Sequence, residues 1–184
     1  MFKLIYAVVV GLIGAVLLHI IIILALPHFT GKDAYTRVTF EGPPNRFYSL
    51  GSQVDKAGLA GTDPFLKLAA CAFDISNGPV HITAAGAVSF WSIGIFDRNA
   101  NEAYSMNDAT AVEGKVDIIA ATSAQLAQLR AQQSESLTQT IFVEMPTTEG
   151  YAVLRTMVPQ DSLKPDAAAV LTGARCLPLS MDAL

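Results

Sequence analysis

Histidine, cysteine and charge are all scarce in this chain. Its 184 residues include three histidines, two cysteines and one tryptophan, and only 15% are charged, against about 25% in a soluble globular domain. His19 falls inside a long apolar run and His28 at its end, which leaves His81 alone in the remainder. A zinc site of three histidines, or of two with a carboxylate, is therefore not expected within one chain. No G-x-S-x-G elbow, G-x-x-x-x-G-K-[ST] loop, H-E-x-x-H or C-x-x-C pair occurs. The common signatures of hydrolases, nucleotide binders, zinc proteases and dithiol redox proteins are thus absent. Neither a catalytic residue nor a metal or cofactor is nominated. The net charge of −4, with both signs interspersed, does not suit a nucleic-acid partner.

What the chain has in excess is apolar surface, and it is unevenly spread. Residues 1–27 hold 22 of the 95 apolar residues, so residues 28–184 are about 46% apolar, an ordinary globular value. The positive mean hydropathy of +0.41 thus describes one segment. Leu4–Leu26 is 23 residues without a formal charge. A helix of that length spans about 34 Å, enough for a ~30 Å hydrocarbon core. A cleaved signal peptide is the competing reading, but its apolar region is only ~7–15 residues long. Residues 1–27 are accordingly read as a transmembrane signal-anchor in contact with the lipid bilayer. Lys3 precedes the span while Lys32, Arg37 and Arg46 follow it, so the charge rule alone does not orient it. Gly11 and Ala15 form a small-xxx-small pair, and with His19 they are candidates for contact with another helix. The alternative is that the span merely tolerates them.

Residues 28–62, rich in Gly, Pro and polar residues, read as a juxtamembrane linker partly packed on the domain. Tyr35–Phe40 is a short element within it, strand or helix. From Asp63 to the end, short apolar runs alternate with turn signals. Strands are expected at Leu66–Ile75, Val80–Ala84, Ser89–Asp97, Ala103–Met106, Val116–Ala121, Thr140–Glu144 and Tyr151–Val158. The first two are read as a hairpin about Ser76–Pro79. Helices are expected over Ala124–Gln133, capped by Ser123, and from Lys164-Pro165 to Gly173. This order favours a mainly β fold, a β-sandwich with one or two peripheral helices, over a βαβ fold. Residues 63–184 would form that domain.

Cys71 and Cys176 could close a loop of about 105 residues, a bridge worth nominally ~4.7 kcal/mol and formed only in an oxidising compartment. Two buried thiols are the alternative. The bridge is the physical reason to place the domain outside the cytosol. His81 is read as a surface or hydrogen-bonded histidine. The polar residues Asp97, Arg98, Tyr104, Asn107 and Asp108 flank one hairpin, and are expected to gather at one end of the sheet as a ligand-binding cluster. Turn chemistry is the competing account of the same residues, and of Asp74 before Ser76-Asn77-Gly78.

Phe73–Val80 (FDISNGPV), Phe90–Ser92 (FWS), Phe96-Asp97 and Tyr104–Asp108 (YSMND) resemble the bacterial domain of unknown function 1254 over residues 63–121. The closing Val158-Pro, Lys164-Pro and Ala174-Arg-Cys176 are similar to a short, membrane-anchored branch of that family found in alphaproteobacteria. The resemblance implies a jelly-roll-like antiparallel β-sandwich in the periplasm, on the outer face of the inner membrane. Longer relatives carry a second sandwich, the domain of unknown function 1214, and some are described as hydrolases; this chain has no room for it. Three functions follow as expectations. The first is a binding or accessory subunit that meets another membrane or periplasmic protein. The second is a half-enzyme using the loop cluster. The third is a lipid- or glycan-binding sandwich with an apolar cleft around Trp91.

Overall fold

The computed structural model describes residues 1–29, 33–54, 56–132 and 139–180. It divides into two units, Met1–Asp33 and Ala34–Leu184. The first is a single helix, α1 (Phe2–Phe29). Its Phe2–Leu26 segment is long and apolar enough to cross a membrane, and none of its residues is buried. Gly11, Ala15 and His19 are all exposed on it, and no protein atom lies within 4 Å of a Cβ added at Gly11.

The second unit is mainly β and contains two sheets. Its elements in chain order are α2 (Ala34–Phe40), β1 (Tyr48–Leu50), β2 (Leu66–Asp74), β3 (Val80–Ala84), β4 (Trp91–Asp97), β5 (Glu102–Asn107), β6 (Val116–Ala121), α3 (Ser123–Gln132), β7 (Ile141–Glu144), β8 (Glu149–Met157), α4 (Lys164–Gly173) and β9 (Arg175–Pro178). Five strands pair in the order β1-β2-β8-β4-β5, and four in the order β7-β6-β3-β9. Period-two alternation directs one face of each sheet into a shared core. Cys71, Phe73, Trp91, Ile93, Ile95 and Leu154 enter it from the first sheet, and Val80, Ile82, Val116, Ile118, Ala120 and Cys176 from the second.

Residues 34–62, from the stretch read as a linker partly packed on the domain, belong to this unit. The far face of the five-stranded sheet is apolar at its centre, where Ala70, Ala72, Tyr151 and Val153 lie. Such a surface needs a cover, and the small alanines let α2 approach with Val38 buried against them. Two edge strands, β1 and β9, escape the sequence reading because they are only three and four residues long.

Three expectations are corrected. Residues 66–74 and 80–84 do not form a hairpin: β2 pairs with β1 and β8, β3 with β6 and β9. The Ser76–Pro79 turn carries the chain from one sheet to the other, a move with the same turn chemistry as a hairpin. The sheets are not wholly antiparallel, since β6 and β7 pair in parallel, α3 returning the chain between them as parallel pairing requires. Finally, α3 is capped by Thr122 and not by Ser123. Thr122 Oγ1 accepts from the Gln125 N–H (3.3 Å) and Gln125 Oε1 from the Thr122 N–H (2.9 Å), a reciprocal capping box.

Cys71 Sγ and Cys176 Sγ are bonded, with the Cα atoms 6.6 Å apart. Because β2 and β9 belong to different sheets, this bond joins the sheets through the core.

Candidate binding groove

The β4–β5 hairpin separates the residues that were expected to cluster. Asp97 and Arg98 lie at its turn, whereas Asn107 pairs with Ser92 at its open end. Asn107 lies five residue steps along β5 from Glu102, about 17 Å at 3.3–3.4 Å per residue. The physical reason is simple: residues close in sequence to the turn stay there, and Asn107 is a whole strand away. Tyr104 opposes Ile95 and packs against the main core. The Asp108 N–H donates to the Trp91 carbonyl (3.1 Å) at the open end.

Asp97 is consumed by the turn. It is 3% exposed, and its carboxylate accepts from the Asn101 N–H (2.8 Å) and the Asn101 amide (2.9 Å). Its own N–H donates to the Asn101 carbonyl, and the loop places Ala100 at φ 63°. Trp91 is likewise structural: it is buried, and its indole N–H donates to the Gly114 carbonyl (3.2 Å). The space beside it, toward Ala84 and Val170, does not admit even a water-sized sphere, so the apolar cleft expected around Trp91 is closed. Asp74 turns the chain through Ser76, whose N–H it accepts at 2.8 Å. His81 Nε2 lies 2.8 Å from Asp117 Oδ1 on the outer side of the four-stranded sheet. No metal-holding group of His, Cys, Asp or Glu occurs among the described residues.

Arg98 belongs to a different set from the expected one. Its guanidinium donates to Glu149 and sits 5.6 Å from the centre of the Tyr35 ring. Glu149 pairs with Asp74 across β8 and β2. Burial, then the Glu149 and Asp74 carboxylates, push the Tyr35 hydroxyl above its ordinary pKa, while Arg98 opposes them. Beneath this network Phe96 stacks on Tyr151 at 5.1 Å. The set ties α2 to the turn end of the five-stranded sheet, with Arg98 paired to Glu149.

The other end of the same face is open. Arg155 of β8, Ser92 of β4 and Asn107 of β5 occupy one cross-strand row, because Ser92 is registered with both neighbours. Leu154, Ile93 and Met106 beside them enter the core, so the three polar side chains point outward. In the next row Gly94 lies between Val153 and Ser105. A Cβ at Gly94 would meet the Phe96 ring at 2.8 Å, so that ring packs against the glycine, and a groove of about 310 Å³ lined by Gly94, Ser92, Asn107 and Arg155 opens beside it. Ser105 and Glu102 complete its lining, bonded to each other at 2.6 Å.

The row is rich in uncommitted donors. Asn107 Oδ1 accepts from the Thr110 N–H and hydroxyl at 3.2 Å, which leaves its Nδ2 amine. Among the described residues neither the Ser92 hydroxyl nor the Arg155 guanidinium has a partner. A larger cleft of about 410 Å³ runs between β1 and β9, but its arginines are engaged. Arg46 lies over the Tyr48 ring, and Arg175 donates to the Thr172 and Ala174 carbonyls. Of the groove residues, the sequence nominates only Asn107 as a site, and for a different cluster; Ser92 and Ser105 stand inside the motifs of the family resemblance.

No protein-family model matches the sequence, and no curated protein matches it. Solved structures do. The VPA0106 protein from Vibrio parahaemolyticus superposes with a TM-score of 0.52 at 14% identity, over 66% of this chain. An uncharacterised protein from Burkholderia cenocepacia superposes at 0.46 and 13% identity, over 84% of this chain. The chain spans 29% of the Vibrio protein's length and 42% of the Burkholderia one. The first likeness establishes that the mainly β fold of this unit also occurs inside a larger protein.

Proposed function

We propose that this chain is an inner-membrane-anchored, periplasmic binding or accessory subunit, and that it recognises its partner with the outer face of the five-stranded sheet. The observation that carries the reading is the Arg155–Ser92–Asn107 row, whose donors face outward without partners among the described residues. Leaving such groups uncommitted gains nothing for folding, whereas charged donors with no internal role suit recognition.

The location rests on two supports. An apolar helix with no buried face suits a lipid environment. A buried disulfide between two sheets suits an oxidising compartment. The shared core of the two sheets supports a jelly-roll-like sandwich of the domain of unknown function 1254 kind. A C-terminal alkaline phosphatase fusion tests the topology, and is expected to be active. Affinity purification from native membranes in mild detergent tests the role; recovery of this chain alone, at any salt, would count against it.

A second reading is a ligand-binding half-enzyme completed by a separate subunit. Under that reading the purified chain alone binds a ligand but turns nothing over until the second subunit is added.

A further inference from the structure

We propose that the groove over Gly94 binds a small hydroxylated carboxylic acid, of the sugar-acid class, with the carboxylate held by Arg155, Ser92 and Asn107. This rests on the reading of that face as the recognition surface and assigns it a ligand chemistry. Adjacent strands lie about 4.8 Å apart, so the three side chains of the row rise across about 10 Å. That width admits one carboxylate with donors on either side. The guanidinium offers a planar fork that matches two carboxylate oxygens at once. Asn107 contributes its Nδ2 amine, since Oδ1 is held by Thr110, and Ser92 contributes a free hydroxyl.

Charge selects among oxyanions. The groove holds one cation, Arg155, and one carboxylate, Glu102. A monoanion neutralises Arg155, whereas a phosphate dianion brings a second negative charge toward Glu102, which repels it. Glu102 also explains the hydroxyl groups of the ligand. Its Oε1 accepts from Ser105, and its second oxygen can accept from a ligand hydroxyl. A volume of about 310 Å³ lies at the small end of ligand sites, ~300–1,000 Å³, and suits a molecule of monosaccharide size.

The test is calorimetric titration of the full chain in detergent micelles with glucuronate, glucose and inorganic phosphate. Glucuronate is expected to bind, and glucose and phosphate each to bind at least about tenfold more weakly, as loss of a charged hydrogen-bonded contact requires. Arg155→Met should weaken glucuronate about tenfold or more, Arg155→Lys by less, because the charge remains but the fork is lost. Ser92→Ala, a minimal change, should weaken it several-fold with the unfolding midpoint unchanged. Equal binding of glucose and glucuronate, tighter binding of phosphate, or indifference to Ser92→Ala and Arg155→Met would each overturn the proposal. If no acid binds while Arg155→Met still abolishes partner recovery from membranes, the ligand class fails and the recognition surface stands. If neither responds, both fail.

Discussion

Ser92 and Asn107 stand directly opposite each other at the open end of the β4–β5 hairpin, and Arg155 flanks Ser92 from β8. Asp97, on the same hairpin, is buried at the other end and bonded within its own turn. One hairpin therefore has a structural end and an open polar end. The two ends can be separated by mutation.

Asp97→Ala should act on stability alone. It leaves the Asn101 N–H and amide without their acceptor in a buried site, a loss of about 1–3 kcal/mol. Denaturant unfolding should register it, while ligand or partner binding by the folded fraction stays unchanged.

The disulfide should matter more than any single hydrogen bond. Replacing Cys71 and Cys176 together by Ala frees a loop of 105 residues, and removal of such a native bridge typically costs about 2–5 kcal/mol. Unfolding in the presence of dithiothreitol should approach the double variant. Equal stability of the reduced and oxidised protein would mean that the bridge does not constrain the fold.

Tyr35 gives the protein an alkaline limb. Its folded pKa lies above the ordinary tyrosine value, chiefly through burial and then the Glu149 and Asp74 carboxylates. The neutral hydroxyl is therefore favoured by folding. That stabilisation is fully present below the unfolded pKa of about 10 and is lost as pH rises through the raised folded value. A difference titration of wild type against Tyr35→Phe, followed by phenolate absorbance, should show a late-ionising tyrosine. Glu149→Gln should bring that ionisation back toward the ordinary value without abolishing the shift due to burial.

The capping box of α3 makes a fourth test. Gln125 closes the Thr122 N–H and also donates to the Ile75 carbonyl at 2.7 Å, so it secures both the helix start and the crossing between sheets. Thr122→Ala should cost about 0.5–2 kcal/mol, and Gln125→Ala more than Thr122→Ala in the same thermal unfolding assay.

Local signals in the sequence locate most of the strands, and for β3 and β6 the bounds as well. What they do not reveal is pairing. Ser76–Pro79 is a turn whether it closes a hairpin or joins two sheets, and inward-facing Phe73, Ile75, Val80 and Ile82 satisfy either arrangement. The site is hidden for the same reason. Arg155 and Ser92 are 63 residues apart in the chain and meet only because β8 inserts between β2 and β4. Asn107 is legible as a polar residue near a turn, but its true companions come from strand register. Thr122-Ser-Ala-Gln125 shows the converse: its spacing is a legible capping signal, obscured by a serine one residue later.

Site-specific photo-crosslinking in native membranes tests the central claim, that the outer face of the five-stranded sheet is the recognition surface. A crosslinking residue would replace Ser105, exposed in the lining of the groove, or Thr83, on the outer side of the four-stranded sheet. A discrete adduct with another protein is expected from position 105, lost when Arg155→Met is added, and none from position 83. The same adduct from both positions, or from position 83 alone, would contradict it.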